Sequence, residues 1–170
     1  IYAYGSPRIT MDGSEADEIV INGTNNDSRI NLRSRSYVPL VRLYSGAQLS
    51  DSSSRSSSSS SYSSGFSEVV FEENMSSSAR STLSGNYDTV DVYAERQRIT
   101  FNDGRIENMT IDENASRGQY NVSSNSTINY LDVAGRYSEF TGSGTIKMAD
   151  VRARNVSFQH DPETIFGDYD

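Results

Sequence analysis

Arg98-Ile99-Thr100-Phe101-Asn102-Asp103-Gly104-Arg105-Ile106-Glu107-Asn108-Met109-Thr110-Ile111 carries the clearest structural signal in this chain. Ile99 and Phe101 alternate with polar residues, and so do Met109 and Ile111. Alternation puts every second side chain on one face of a strand, so that one face can be buried. Asp103-Gly104, between the two runs, supplies the positive φ angles of a tight turn and predicts a β-hairpin. The same pattern recurs at Val90–Ala94, Tyr120–Val122, Ile128–Tyr130, Ile146–Met148 and Val156–Phe158. Runs at intervals of roughly ten residues predict an all-β fold, an antiparallel β-sandwich or jelly roll with long polar loops. A β-helix would present similar polar rungs, but no strict repeat period accompanies them. No segment carries an apolar stripe of helical period.

Eight Asn-X-Ser/Thr triplets begin at Asn22, Asn26, Asn74, Asn108, Asn114, Asn121, Asn125 and Asn155. They fit the N-glycosylation acceptor rule. Asn22, Asn108, Asn121 and Asn155 are out of phase with their apolar neighbours, which sends them to solvent. A plain polar sheet face in a Ser/Thr-rich chain would read the same way.

With 170 residues the chain is expected to form one domain with appendages. Only 34% of it is hydrophobic, which predicts a thin core. A net charge of −8 argues against nucleic acid and anionic membranes as partners. No apolar run reaches the length of a membrane span. The chain has no Cys, so disulfides and thiolate metal sites are excluded. It starts at Ile1 rather than Met, which is expected of a chain that has lost a leader or follows preceding residues.

Residues 1–11 are expected to be an extended N-terminal arm or donor-like strand, because Pro7 cannot donate to a ladder. Its apolar residues Ile1, Tyr2, Tyr4, Ile9 and Met11 are candidates for contact with a neighbouring copy. Asp12, Glu15 and Asp17 flank a Gly turn and are weak Ca²⁺ candidates, though without the spacing of an EF-hand loop. Glu18–Ile21 and Arg29–Arg33 read as strands. Arg29, Arg33, Arg35 and Arg42 form the most basic local region, suited to self-complementary contacts in an acidic chain. Tyr37–Tyr44 is the most apolar stretch, with Pro39 marking an edge or bend. Residues 51–67 are Ser-rich and read as a flexible loop within a single sandwich domain spanning 12–159. Residues 160–170 form a C-terminal tail in which Ile165 and Phe166 are further inter-subunit candidates.

Catalytic signals are absent. His160, the one histidine, lies beside Asp161 in the polar tail, and no Gly-X-Ser-X-Gly motif exists to supply a nucleophile. There is no phosphate-cradling glycine loop. The sequence therefore predicts a non-enzyme without a cofactor.

In composition and in its strand-like terminal segments, Ile1–Met11 and the tail from Thr164, the chain resembles secreted β-sandwich subunits of prokaryotic extracellular filaments and pili. That resemblance implies an extracellular, glycosylated structural subunit of a helical homopolymer. A terminal strand of one copy would complete the sheet of the next, a head-to-tail contact that propagates without closing. The alternatives are a secreted carbohydrate-binding or adhesin module, in which the 11 Tyr stack on sugars, and a viral fibre or capsid jelly roll.

Overall fold

The segment 98–111 does not turn back at Asp103-Gly104. In a computed structural model, which describes residues 1–24, 26–52 and 64–167, this segment is one bent strand of 14 residues. Its two halves lie in two different ladders, and every pairing is parallel. The fold is a parallel β-solenoid of about eight turns, which replaces the antiparallel sandwich or jelly roll expected from the sequence.

The strands in chain order are β1 (Tyr2–Gly5), β2 (Arg8–Asp12), β3 (Glu18–Gly23), β4 (Ser28–Arg33), β5 (Tyr37–Leu43), β6 (Ala47–Asp51) and β7 (Gly65–Phe71). They continue as β8 (Arg80–Val92), β9 (Arg98–Ile111), β10 (Gln119–Val122), β11 (Ser126–Val133), β12 (Glu139–Thr141), β13 (Thr145–Val151), β14 (Ser157–Phe158) and β15 (Thr164–Phe166). One ladder stacks β1, β3, β5, β7, the second half of β8, the second half of β9, β11, β13 and β15. The other stacks β2, β4, β6, the first halves of β8 and β9, β10, β12 and β14. Parallel neighbours need a crossover, and here the crossover is the opposite ladder of the same coil.

Parallel stacking turns the alternation of each strand into columns. In the first ladder Ala3, Ile21, Leu43, Phe71, Val92, Ile111, Val133 and Val151 stand one above another. Beside them runs a second column of Ile19, Val41, Val69, Val90, Met109, Leu131, Ala149 and Ile165. Both face inward and are almost wholly buried. The core is thus a narrow strip between two ladders, which explains how a chain with few apolar residues fills it. Pro39 is tolerated inside β5 because pairing with β3 begins only at Leu40.

Gly104 explains why the hairpin reading failed. Its φ is +104°, as a tight turn would require, but the residue forms a corner where β9 passes from one ladder to the other. It stacks in register on Gly85, whose φ is +119°. A β-bulge between Leu83 and Ser84 adjusts the register below that corner.

Aromatic rings also stack along columns. Tyr120 lies on Phe140 with ring centroids 5.0 Å apart, and Phe140 lies on Phe158 at the same distance. The Tyr120 hydroxyl is buried without a hydrogen-bond partner. Burial raises its pKa above the ordinary 10.0, because a phenolate there would be unsolvated. The Tyr120→Phe variant is therefore expected to be more stable by about 1 kcal/mol, since it removes an unsatisfied polar atom and keeps the stack. With a folded-state pKa above the unfolded one, the ionisation of Tyr120 has no effect on stability below the unfolded value and lowers stability as pH rises past it. Wild type should therefore lose stability above about pH 10 faster than the variant, and urea titrations at neutral and alkaline pH check both points.

Candidate functional site

The seven inter-subunit candidates fall on the coils at the two ends of the solenoid. Residues 1–11 lie on their own chain: β1 pairs with β3, and β2 with β4. Tyr2 and Tyr4 are 70% and 71% exposed on the outer side of β1, and Ile1 is 51% exposed over Ile19. Ile9 is half-buried and Met11 is buried in the core. At the other end β15 pairs with β13, leaving Ile165 half-buried and Phe166 52% exposed. The terminal segment is thus a last partial coil. Among the described residues, each end leaves one edge of each ladder without a strand.

The two end coils share a register. Tyr2 heads an outward column that runs through Val20, Arg42, Val70, Asp91, Thr110, Asp132 and Asp150 to Phe166. Ile165 ends the inward column that contains Ile19, directly above which Ile1 sits. If the ladder continued past its end, Phe166 would meet a Tyr2 and Ile165 an Ile1, with apolar groups on both sides.

The outward face of the first ladder is acidic near its middle. Burial raises the pKa of Asp91, against a smaller lowering by its hydrogen bond to Thr110. Asp132 takes a two-pronged contact from Arg152, with both Nη2–O distances at 2.6 Å. Arg42 bridges three coils, to Glu18 at 3.0 Å and to Glu72 at 2.6 Å. Arg29, Arg33 and Arg35 of the same predicted basic region are exposed.

A shallow depression of about 310 Å³ lies on the outward face of the second ladder, over Thr100, Gln119, Asn121 and Thr141. Asn121 donates from Nδ2 to Thr141 Oγ1 at 3.1 Å and is half-buried. The other seven sequon asparagines are exposed. They do not share one side: Asn108 is on the first ladder, whereas Asn114 and Asn155 are in turns. Asn26 Oδ1 accepts from the Arg80 backbone N–H at 3.2 Å.

The calcium candidates are spread apart. Asp12 ends β2 and accepts a hydrogen bond from Ser34, while Glu15 bridges to Tyr37 through its backbone. Among the described residues no three His, Cys, Asp or Glu side chains are grouped as metal ligands would be. His160 and Asp161 are both exposed on the bend after β14. Of the Ser-rich loop 51–67, residues 53–63 lie outside the described residues, and Gly65–Ser67 begin β7. No helix among the described residues is long and apolar enough to cross a membrane.

No family model and no curated protein matches this sequence. A solved structure does. The chain is similar to part of the chitinase ChiW from Paenibacillus, described as a multi-modular enzyme machinery expressed at the bacterial cell surface, with a TM-score of 0.82 at 20% identity. The match covers 94% of this chain and 14% of that one. At this identity the likeness establishes a shared solenoid fold.

The residues that sequence reasoning missed lie in the turns from the first ladder to the second. Ala94-Glu95-Arg96, Ala115-Ser116-Arg117, Ala134-Gly135-Arg136 and Ala153-Arg154 occupy four consecutive turns there. The intervals between the alanines are 21, 19 and 19 residues, a repeat that was legible in the sequence. All four alanines are packed at the turn, with Ala94, Ala115 and Ala153 fully buried, and the arginines are exposed.

Proposed function

We propose that this chain is a rod-shaped structural module of an extracellular assembly, whose copies stack end to end as one continuing solenoid. The observation that carries this reading is the matched register of the two end coils, with exposed Ile1 and Tyr2 at one end and Phe166 at the other. Joining them would pair the open edges of the first ladder and cover exposed apolar surface together. Stacking of whole coils takes the place of strand donation into a neighbouring sandwich. The contact is heterologous, so it extends without closing. In this reading the module is not an enzyme, and the exposed sequon asparagines have room for glycans. The cell-surface setting of the similar chitinase supports an extracellular location.

Electron microscopy of the purified protein tests this. Filaments should appear with an axial repeat of about 40 Å, roughly eight coils at the spacing of paired strands. Phe166→Asp should abolish them while leaving the circular dichroism spectrum unchanged. Monomers at all accessible concentrations would overturn the proposal.

A second reading is a carbohydrate-binding module within a larger cell-surface protein. It is favoured by the small share of the multi-modular chitinase that the chain matches. There the end coils would continue into neighbouring coils of the same polypeptide.

A further inference from the structure

The four arginine turns, together with Arg80 and Arg98 in the adjoining strands, form a basic edge on an acidic protein, although the positions in register beyond Arg98 are Gln119 and Glu139. Arg80 and Arg98 are in register on adjacent coils, a like-charged pair side by side. Arg96 and Arg117 occupy successive turns with φ of 53° and 59°, and the turns are tied by backbone bonds from Arg96 N to Ser116 O at 2.8 Å and from Arg117 N to Arg136 O at 2.8 Å. Arg136 and Arg154 continue the edge in the next two turns.

None of these six arginines forms an ion pair among the described residues. Arg8, Arg29, Arg33 and Arg35 form none there either. Arg42, Arg105 and Arg152 do find one. The acids in these turns and at the adjoining strand positions are Glu95, Asp112, Glu113 and Glu139, of which Glu139 accepts a hydrogen bond from Gln119 at 3.3 Å. The edge therefore retains excess positive charge, kept in place by the stacking of coils despite its own repulsion.

We infer that this edge binds an extended anionic polysaccharide, one carrying a carboxylate or sulfate at regular intervals. Three features fit that partner. Each coil from that of Arg80 to that of Arg154 carries at least one of these guanidiniums, though not all at one register position, and successive coils are about 4.8 Å apart, comparable to the length of one sugar ring. Guanidinium groups bind carboxylate and sulfate with two parallel hydrogen bonds. The arginines flank two adjoining depressions, of about 260 and 310 Å³, that share Arg98 and Gln119. Thr100, Asn121 and Thr141 in the second of these offer hydroxyl and amide groups to sugar hydroxyls. Arg117 is also held over the exposed ring of Tyr137, with its Cζ 5.6 Å from the centroid, which fixes the guanidinium near the path. A nucleic acid fits less well. Its denser charge meets a protein of net charge −8, and the edge has no row of aromatic rings for bases to stack on.

The inference does not depend on end-to-end stacking, since a single rod carries the whole edge. Calorimetric titration of the intact chain with polygalacturonate, dextran sulfate, neutral dextran and a poly(dT) strand tests it. One or both of the first two should bind, more weakly as salt rises, and their ranking tells carboxylate from sulfate. Arg96→Gln/Arg117→Gln should weaken that binding at least tenfold, as expected for two lost charged contacts. Arg98→Gln/Arg136→Gln should do the same with no change at a positive-φ residue. Arg33→Gln/Arg35→Gln, which removes equal charge away from the edge, should leave it within twofold. The inference is overturned by binding of neither acidic polymer, by equal binding of neutral dextran, by tighter binding of poly(dT), or by an equal loss in the Arg33/Arg35 variant.

Discussion

Gly104→Ala is expected to lower the melting temperature by more than about 10 °C, a loss of at least about 4 kcal/mol. Two costs combine. At φ +104° any Cβ is strained, which alone costs on the order of 1–3 kcal/mol. A Cβ built at Gly104 would also lie 1.9 Å from the carbonyl oxygen of Gly85 and 2.5 Å from its carbonyl carbon. Those are backbone atoms of the coil below, so no side chain can rotate away; the ladder between β8 and β9 must open. Gly13→Ala is the control. Its φ is +59° and nothing lies within 4 Å of the added Cβ, so only the strain of about 1 kcal/mol remains. Thermal unfolding of the two variants compares them directly. A drop below about 3 °C for Gly104→Ala would show that the corner is looser than the geometry requires.

Phe71→Ala is expected to cost about 3–5 kcal/mol. The ring is fully buried and stands in the inward column between Leu43 and Val92. Those neighbours are held by their own ladders and cannot collapse into the space. The damage should also spread unevenly, because each coil of a solenoid is stabilised mainly by the coils beside it. Hydrogen exchange should show amides of β5, β7 and the second half of β8 losing protection, while those of β13 change little. Uniform loss across all coils would mean that the stack unfolds as a single cooperative unit.

The Gly104 corner also shows how much could be read in advance. The runs at 18–21, 29–33, 120–122, 128–130 and 146–148 lie within strands, and Ile19, Ile21, Ile30, Leu32, Tyr120, Val122, Ile128 and Ile146 face inward, whereas Val20 and Met148 face outward. Asn22 and Asn108 are exposed, as their phase demands, whereas Asn121 is half-buried and Asn155 is exposed in a turn. These are properties of one strand at a time, decided by which side chains favour water. The terminal apolar residues that now cap the two ends of the rod stood out for the same reason.

Which strand lies beside which was decided only in three dimensions. Alternation is the same whether the neighbour runs parallel or antiparallel. A glycine of positive φ serves a hairpin and a solenoid corner equally, and what separates them at Gly104 is the backbone of Gly85, 19 residues earlier. The spacing of equivalent core residues varies from 18, between Ala3 and Ile21, to 28, between Leu43 and Phe71, because turns differ in length while rungs do not. That variation hid the repeat. The basic edge depends on it too: Arg96, Arg117, Arg136 and Arg154 are scattered cations along the chain, and the stacking of coils is what turns them into neighbours.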